Sequence, residues 1–295
     1  MGTLSTPFAP IVNAATGLKP VRQLLDTALK IDHRRSLPKY SFGTFRRRYQ
    51  RIAKSQAQYA EQVAFFHGCY VNYNHPQLGL DMIRVLNALG IGVQLLSKEK
   101  CCGVPLIANG FFDKARRQAQ SNVTSLRQAI VEKRLPVLAT SSTCTFTLRD
   151  EYPHLLEVDN HDLRDDIELA TRWIWRRLDA GATLPLNPLP LKVVYHTPCH
   201  MEKMGWSLYT LELLRRIPGV ELQVLESNCC GIAGTYGFKA ENYPTSQAIG
   251  APLFAQIENS GADLVITDCE TCKWQIEMST SKRCEHPITL LAQAL

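Results

Sequence analysis

Ten cysteines carry the chemistry that this sequence can offer, and their order is not random. The first group is Cys69, then Cys101-Cys102-Gly103, then Cys144. The second is Cys199, then Cys229-Cys230-Gly231, then Cys269-Glu270-Thr271-Cys272. Matching members lie 130, 128 and 128 residues apart, and 42 residues separate Cys102 from Cys144 as they separate Cys230 from Cys272. The flanks repeat as well: His67-Gly68-Cys69 beside His196-Thr197-Pro198-Cys199, and Ser142-Thr143-Cys144 beside Glu270-Thr271-Cys272. A fixed period of this kind marks an internal duplication. The copies differ at one position, where Ser141 stands opposite Cys269, so the first offers four thiols and the second five. Cys284 lies outside the pattern and reads as a small buried hydrophobe.

An opening stretch without a basic leader, and cysteines too dilute for a secreted scaffold, point to a reducing compartment in which clustered thiols serve as metal or redox ligands. All-thiolate sites select Zn, Cu(I) or iron–sulfur clusters. Zinc uses four ligands, so five thiols in the second copy favour a multi-iron cluster there. Four thiols in the first could close around zinc, or hold a cluster with Ser141 or an open iron. A thioredoxin-type pair at Cys269 and Cys272 leaves Cys229-Cys230 unexplained, and inert cysteines would not repeat at constant spacing. His67, His196 and His200 read as hydrogen-bonded supports beside the cysteine loops rather than as ligands.

The elements that must position these thiols also come in two rounds. Strand-like runs at Gln62–Phe66, Gly92–Leu96 and Pro136–Thr140 alternate with helical stretches at Pro76–Leu89, Phe112–Glu132 and Phe146–Tyr152. Runs at Leu191–Tyr195, Val220–Leu225 and Ala262–Thr267 alternate with Ser207–Ile217, Tyr243–Ser260 and Cys272–Ser279. That alternation predicts an α/β chain of two tandem three-layer domains with parallel sheets. Every cysteine group then follows a strand, which places it at the carboxyl edge where open α/β sheets bind ligands. The expected division is a basic connector over 1–60, a first cysteine-rich domain over 61–185 and a second over 186–295.

Charge is concentrated at the start. Of a net +6 over 295 residues, residues 1–60 hold +9 and the remainder −3. Such an arm suits an acidic partner or a membrane surface; without a reading motif it does not suggest nucleic acid. Helical apolar spacing at Leu18–Ile31 and aromatics among the arginines (Phe42, Phe45, Tyr49) leave room for packing on the body. Leu169–Leu178, with Trp173, Trp175, Arg172, Arg176 and Arg177, is a second candidate for an interfacial helix, set against an ordinary linking helix. No apolar run is long enough for a transmembrane helix. Met1-Gly2-Thr3-Leu4-Ser5-Thr6 fits the loose myristoylation pattern, though an unmodified terminus is expected from so short a match.

The strings His67-Gly-Cys-Tyr-Val-Asn-Tyr-Asn-His75, Leu95-Leu-Ser-Lys-Glu-Lys-Cys-Cys-Gly-Val-Pro105 and Tyr195-His-Thr-Pro-Cys-His-Met-Glu-Lys-Met204, with the two cysteine series, resemble the duplicated cysteine-rich (CCG) domain family. That family includes the catalytic component of heterodisulfide reductases and iron–sulfur components of glycolate and lactate oxidation systems. The resemblance runs along essentially the whole chain. It implies a non-cubane [4Fe–4S] cluster held by Cys199, Cys229, Cys230, Cys269 and Cys272. The set Cys69, Cys101, Cys102 and Cys144 is implied to be an incomplete one, for a second cluster or Zn. It implies an electron-transfer subunit rather than a stand-alone enzyme, peripheral on the cytoplasmic face of a bacterial inner membrane. Flavin-containing dehydrogenase subunits, menaquinone and the membrane surface are the implied partners. The rival readings are a thiol–disulfide reductase subunit and a Zn-stapled membrane-anchoring subunit. Relatives carrying an N-terminal ferredoxin-like region have two Cys-x-x-Cys-x-x-Cys-x-x-x-Cys-Pro runs that this sequence lacks, which implies the C-terminal portion of a longer chain. No flavin or nucleotide-phosphate fingerprint is present, so dehydrogenation itself is expected to lie elsewhere.

Overall fold

The computed structural model describes residues 5–295 and contains two four-stranded, wholly parallel sheets. The first has β1 (Glu61–Phe66), β2 (Ile91–Leu95), β3 (Val137–Ala139) and β4 (Ile167–Leu169) in the order β2-β1-β3-β4. The second has β5 (Leu191–Tyr195), β6 (Val220–Val224), β7 (Leu264–Ile266) and β8 (Cys284–Glu285) in the order β6-β5-β7-β8. Identical order in both sheets is the structural form of the duplication. The registers correspond too: Phe65 pairs with Leu95 and Leu138, and Tyr195 pairs with Val224 and Ile266.

Strand residues point alternately to opposite faces, and here they separate three cores. Val63 and Phe65 of β1 and Val193 and Tyr195 of β5 join one large core shared by the two sheets. Ala64 and Phe66 face a second core on the outer side of the first sheet, and Val194 and Val265 a third on the outer side of the second. Helices α1 (Pro76–Ala88), α2 (Ala170–Asp179), α3 (Ser207–Arg215) and α4 (Pro287–Ala294) fill the shared layer. Outside the first sheet lies Phe112–Arg127, and outside the second Tyr243–Asn259 and Glu270–Ser279. Each sheet therefore carries helices on both faces.

The fourth strand of each sheet, of three and two residues, is too short to leave an alternating pattern in the sequence. Cys284 sits in β8, fully buried and paired with Val265, as a small core residue.

Two features of the basic regions differ from a solvated arm and an interfacial helix. Residues 5–56 pack against both halves: Phe45 is buried in the shared core, and Ile31 bridges Lys239 while the Asp32 amide donates to Phe238 O at 2.9 Å. In α2, Trp173, Ile174 and Leu178 are buried. Arg172 and Arg176 bind Glu168, and Arg177 binds Glu61 at 2.6 Å. That helix is an internal link, since its apolar face and its arginines are already engaged within the chain. Of the myristoylation match, Met1 to Leu4 lie outside the described residues.

Two candidate cysteine centres

In each sheet the first and third strands flank the point where the chain reverses direction across the sheet, and the crevice at their carboxyl ends is the place that parallel topology prepares for a ligand. Cys69, Cys101, Cys102 and Cys144 converge on it in the first half. Cys69 Sγ lies 3.8 Å from Cys101 Sγ, and Cys144 Sγ 3.4 Å from Cys102 Sγ. In the second half Cys230 Sγ lies 3.2 Å from Cys272 Sγ, Cys199 contacts Cys229, and Cys269 contacts Cys272. All ten cysteines are free thiols, and Cys284 is buried in the same core cluster as Cys230, Cys269 and Cys272.

Glycine after each cysteine pair has a backbone reason. Gly103 and Gly231 have φ of +109° and +83°, a region that L side chains rarely adopt. Gly231 is also sterically required, because a Cβ there would lie 2.0 Å from Ser246 O.

Sulfurs this close compete for protons. Cys229, hydrogen-bonded by Cys199 and Cys230, is held well below the ordinary thiol range, while both of those partners are pushed above it. Cys101 is held down between Cys69 and Cys102 in the same way. Cys269 is lowered to about 6, first by Cys272 and then by Thr143 and Thr271. A thiol row can share protons like this, but a soft metal group that takes every sulfur as thiolate removes the conflict altogether.

The three histidines divide. His67 Nε2 accepts from Arg46 Nε at 3.1 Å, so Nδ1 carries the proton and donates to Gly68 O at 2.8 Å. Glu99 stands 3.1 Å from the same Nδ1 and accepts from the backbone N–H of His67 and Gly68. Burial pushes the Glu99 carboxyl up to about 8. His200 lies 3.0 Å from the Thr143 hydroxyl and stacks on Phe146. His67 and His200 are thus each engaged by neighbouring protein groups. His196 is not satisfied in this way: it is 1% exposed, and neither ring nitrogen has a hydrogen-bond partner. Its ligating nitrogen lies within 4.8 Å of the Cys230 and Cys272 sulfurs. Orphaned buried polar atoms call for a missing partner, and here one ring nitrogen sits beside the thiol cage. The donor set and this orphan together fit a bound soft metal group in the second half.

The two centres also touch each other. The Thr143 hydroxyl lies 3.4 Å from Cys269 Sγ, one residue from Cys144. The Ser142 amide and hydroxyl both donate to Asp268 O, each at 2.9 Å. Ser141, in place of a fifth thiol, caps its helix by accepting from the Cys144 amide at 3.3 Å and bonds the carboxyl of Glu270, which burial raises to about 8. Glu270 is near enough to Cys69 and Cys144 to raise both. Sequence reasoning missed Arg46, Glu99, Thr143 and Glu270. Each is adjacent or close in sequence to a cysteine or histidine of the repeat, or lies in the arginine run, but nothing in a linear pattern tells a buried charge from a solvated one.

A chain with two parallel α/β units, each bringing cysteines from three loops to one strand edge, is a duplicated cysteine-rich protein. It belongs to the cysteine-rich (CCG) domain family, whose profile matches residues 63–149 and again 193–277. It is 81% identical over all 295 residues to the C component of the anaerobic glycerol-3-phosphate dehydrogenase of Escherichia coli K12, covering 74% of that protein. It is also similar to the B component of the fumarate reductase (CoM/CoB) of Methanothermobacter marburgensis, at 29% identity over 75% of this chain and 42% of that protein. Lactate utilization protein A of Bacillus velezensis is 29% identical over 70% of this chain and 87% of its own length.

Proposed function

We propose that this chain is an iron–sulfur electron-transfer subunit of an anaerobic glycerol-3-phosphate dehydrogenase complex. In this reading it relays electrons from the flavin-containing subunits, the A and B components of the complex, to menaquinone at the inner membrane. The observation that carries the reading is the meeting of five thiols from three loops beside an unsatisfied histidine, in a chain 81% identical to the C component of that enzyme.

Cys199, Cys229, Cys230, Cys269 and Cys272 are the residues that would hold a cluster of the non-cubane [4Fe–4S] type. Cys69, Cys101, Cys102 and Cys144 would hold a second cluster or zinc. A cluster so held supplies one-electron transfer at a potential set by charge, burial and hydrogen bonds to sulfur. The chain's own part is to fix the thiols at the strand ends and to shield Cys230, Cys269 and Cys272 from water, since all three are buried. The Thr143–Cys269 contact links the two centres, a favourable arrangement for passing electrons between them.

No helix among the described residues is long and apolar enough to cross a membrane. Peripheral contact is better served by the N-terminal helices Ala9–Gly17 and Lys19–Leu29. Ile11, Leu18, Leu24 and Leu29 are exposed there beside Lys19 and Lys30. Apolar side chains ringed by cations suit an anionic lipid surface.

Counting iron, zinc and acid-labile sulfide per chain after anaerobic purification tests the reading. Iron and sulfide together are expected, and zinc alone would overturn it. Flotation with anionic vesicles at low salt is expected to carry the chain upward; no binding there removes direct membrane attachment.

A further inference from the structure

Arg35 belongs to the basic segment, yet it is 1% exposed and lies deep in the second half of the molecule. One guanidinium nitrogen donates to Gln275 Oε1 and another to Ser246 Oγ at 2.8 Å, while Nε has no partner. Its guanidinium stands 4.7 Å from the centre of the Tyr243 ring and 5.8 Å from that of Phe238. No carboxylate pairs with it among the described residues. The nearest in sequence, Asp32, is taken by Arg34, which reaches Oδ1 at 2.9 Å and Oδ2 at 2.6 Å. A guanidinium does not shed its proton in proteins, and a buried charge ordinarily has an opposite charge beside it.

Its hydrogen-bond partners show where that opposite charge lies. Gln275 is three residues beyond Cys272 on helix Glu270–Ser279, on the same helical face. The backbone of Ser246 is pressed against Gly231, directly after Cys229-Cys230, so closely that a Cβ on Gly231 would clash with it. Gln275 Nε2 donates to Ser246 Oγ at 3.3 Å and closes the triangle. Arg35 is therefore fastened to the helix that carries Cys272 and to the helix Tyr243–Asn259 that packs against the Cys230 loop, and the sulfurs of these two cysteines lie 3.2 Å apart. Gly237 leaves room for it, since a Cβ there would come within 3.2 Å of the Arg35 terminal nitrogen. Burial disfavours the Arg35 cation, and Tyr243, Asp32 and then Cys230 favour it, so the cage contributes beside Asp32.

We infer that Arg35, carried in by the N-terminal segment, is the fixed counter-charge of the second cysteine cage and sets the reduction potential of the group held there. The inference deepens the reading of that cage as an iron–sulfur site and rests on it. Reduction adds one negative charge to the cage. A fixed cation behind Cys230 and Cys272 favours that added charge and so raises the potential. Because the segment Ile31–Arg35 is held by the Ile31–Lys239 bridge and the Asp32–Phe238 hydrogen bond, the cation is held in place by backbone contacts.

The test is an anaerobic redox titration, read by electron paramagnetic resonance, of the full chain and of Arg35→Gln and Arg35→Lys. R35Q is expected to shift the reduction equilibrium of the second-cage signal about tenfold towards the oxidised form, about 59 mV for a one-electron couple. R35K, which keeps the charge, is expected to recover most of that shift. An unchanged potential in R35Q overturns the inference, as does an R35K shift as large as that of R35Q. If R35Q retains no iron, iron content becomes the readout: restored loading in R35K supports the counter-charge, and equal depletion in both contradicts it. Wild-type protein holding zinc alone defeats the iron–sulfur reading separately. Chelator competition for that zinc then reads the same charge, with weaker retention in R35Q expected and equal retention contradicting it.

Discussion

The two cysteine centres share a scaffold and differ in the charges that surround it. In the first, His67 is held between Arg46 and Glu99, so a cation and a buried carboxyl group flank a satisfied imidazole. In the second, among the described residues, His196 has no hydrogen-bond partner and Arg35 no paired carboxylate, while the cage has a fifth thiol. The first centre is closed by its own polar network; the second leaves its histidine beside the sulfurs and its arginine bonded to Gln275 and Ser246 behind them. Duplication preserved the strand order and the convergence of three loops, and divergence acted on the groups behind them. The N-terminal segment takes part in both, since it delivers Arg35 to one half and Arg46 to the other.

If the centres are unequal in this way, they should break unequally. The largest effect is expected from the cysteine pairs. Cys230→Ala should abolish the iron signal of the second cage, whereas Cys102→Ala should leave that signal in place; electron paramagnetic resonance on the two variants would show it. Equal loss in both would mean that the centres load as one unit.

The glycines after the pairs give the next contrast. Gly231→Ala drives a Cβ to 2.0 Å from Ser246 O and should destabilise the fold by on the order of 4 kcal/mol or more in denaturant unfolding. Gly103→Ala meets Ala115 only at 3.7 Å, so backbone strain alone applies, about 1–3 kcal/mol. Similar costs at both sites would show that the second loop is not packed as described.

A smaller effect concerns the seam between the halves. His286 Nδ1 accepts from the Ile288 amide and Nε2 lies 2.8 Å from Thr140 O, which leaves the ring neutral. Burial lowers its pKa from 6.5 to about 3. Below pH 6.5 the unfolded chain takes a proton that the folded chain refuses, so stability falls with pH until about pH 3. Between pH 6.5 and 5 this group accounts for a loss of about 2 kcal/mol. His286→Gln should flatten the acid limb of stability by that amount; an unaltered pH dependence would contradict it. Cys284→Ala, at a core position outside the repeated cysteine pattern, should cost about 1 kcal/mol and leave every metal signal intact.

How much of this was legible in the sequence follows from the length scale of each feature. The duplication, the long strands and the cysteine edge could be read because they repeat over many residues. Strands β4 and β8 could not, since they are held by pairing to β3 and β7 and not by any pattern of their own. Basic residues in the first sixty were visible as charge, but burial of Arg35 depends on Ser246 and Gln275, more than 200 residues away. The Trp–Arg helix resembled an interfacial segment because amphipathic helices look alike whether their apolar side meets lipid or a core. Glu168, Glu61 and the shared core decide between these here.

The most direct test of the central claim is a crystal structure of anaerobically prepared protein with data collected across the iron absorption edge. The account predicts an anomalous iron peak enclosed by the sulfurs of Cys199, Cys229, Cys230, Cys269 and Cys272. A cage without iron, or iron bound away from those five thiols, would contradict it.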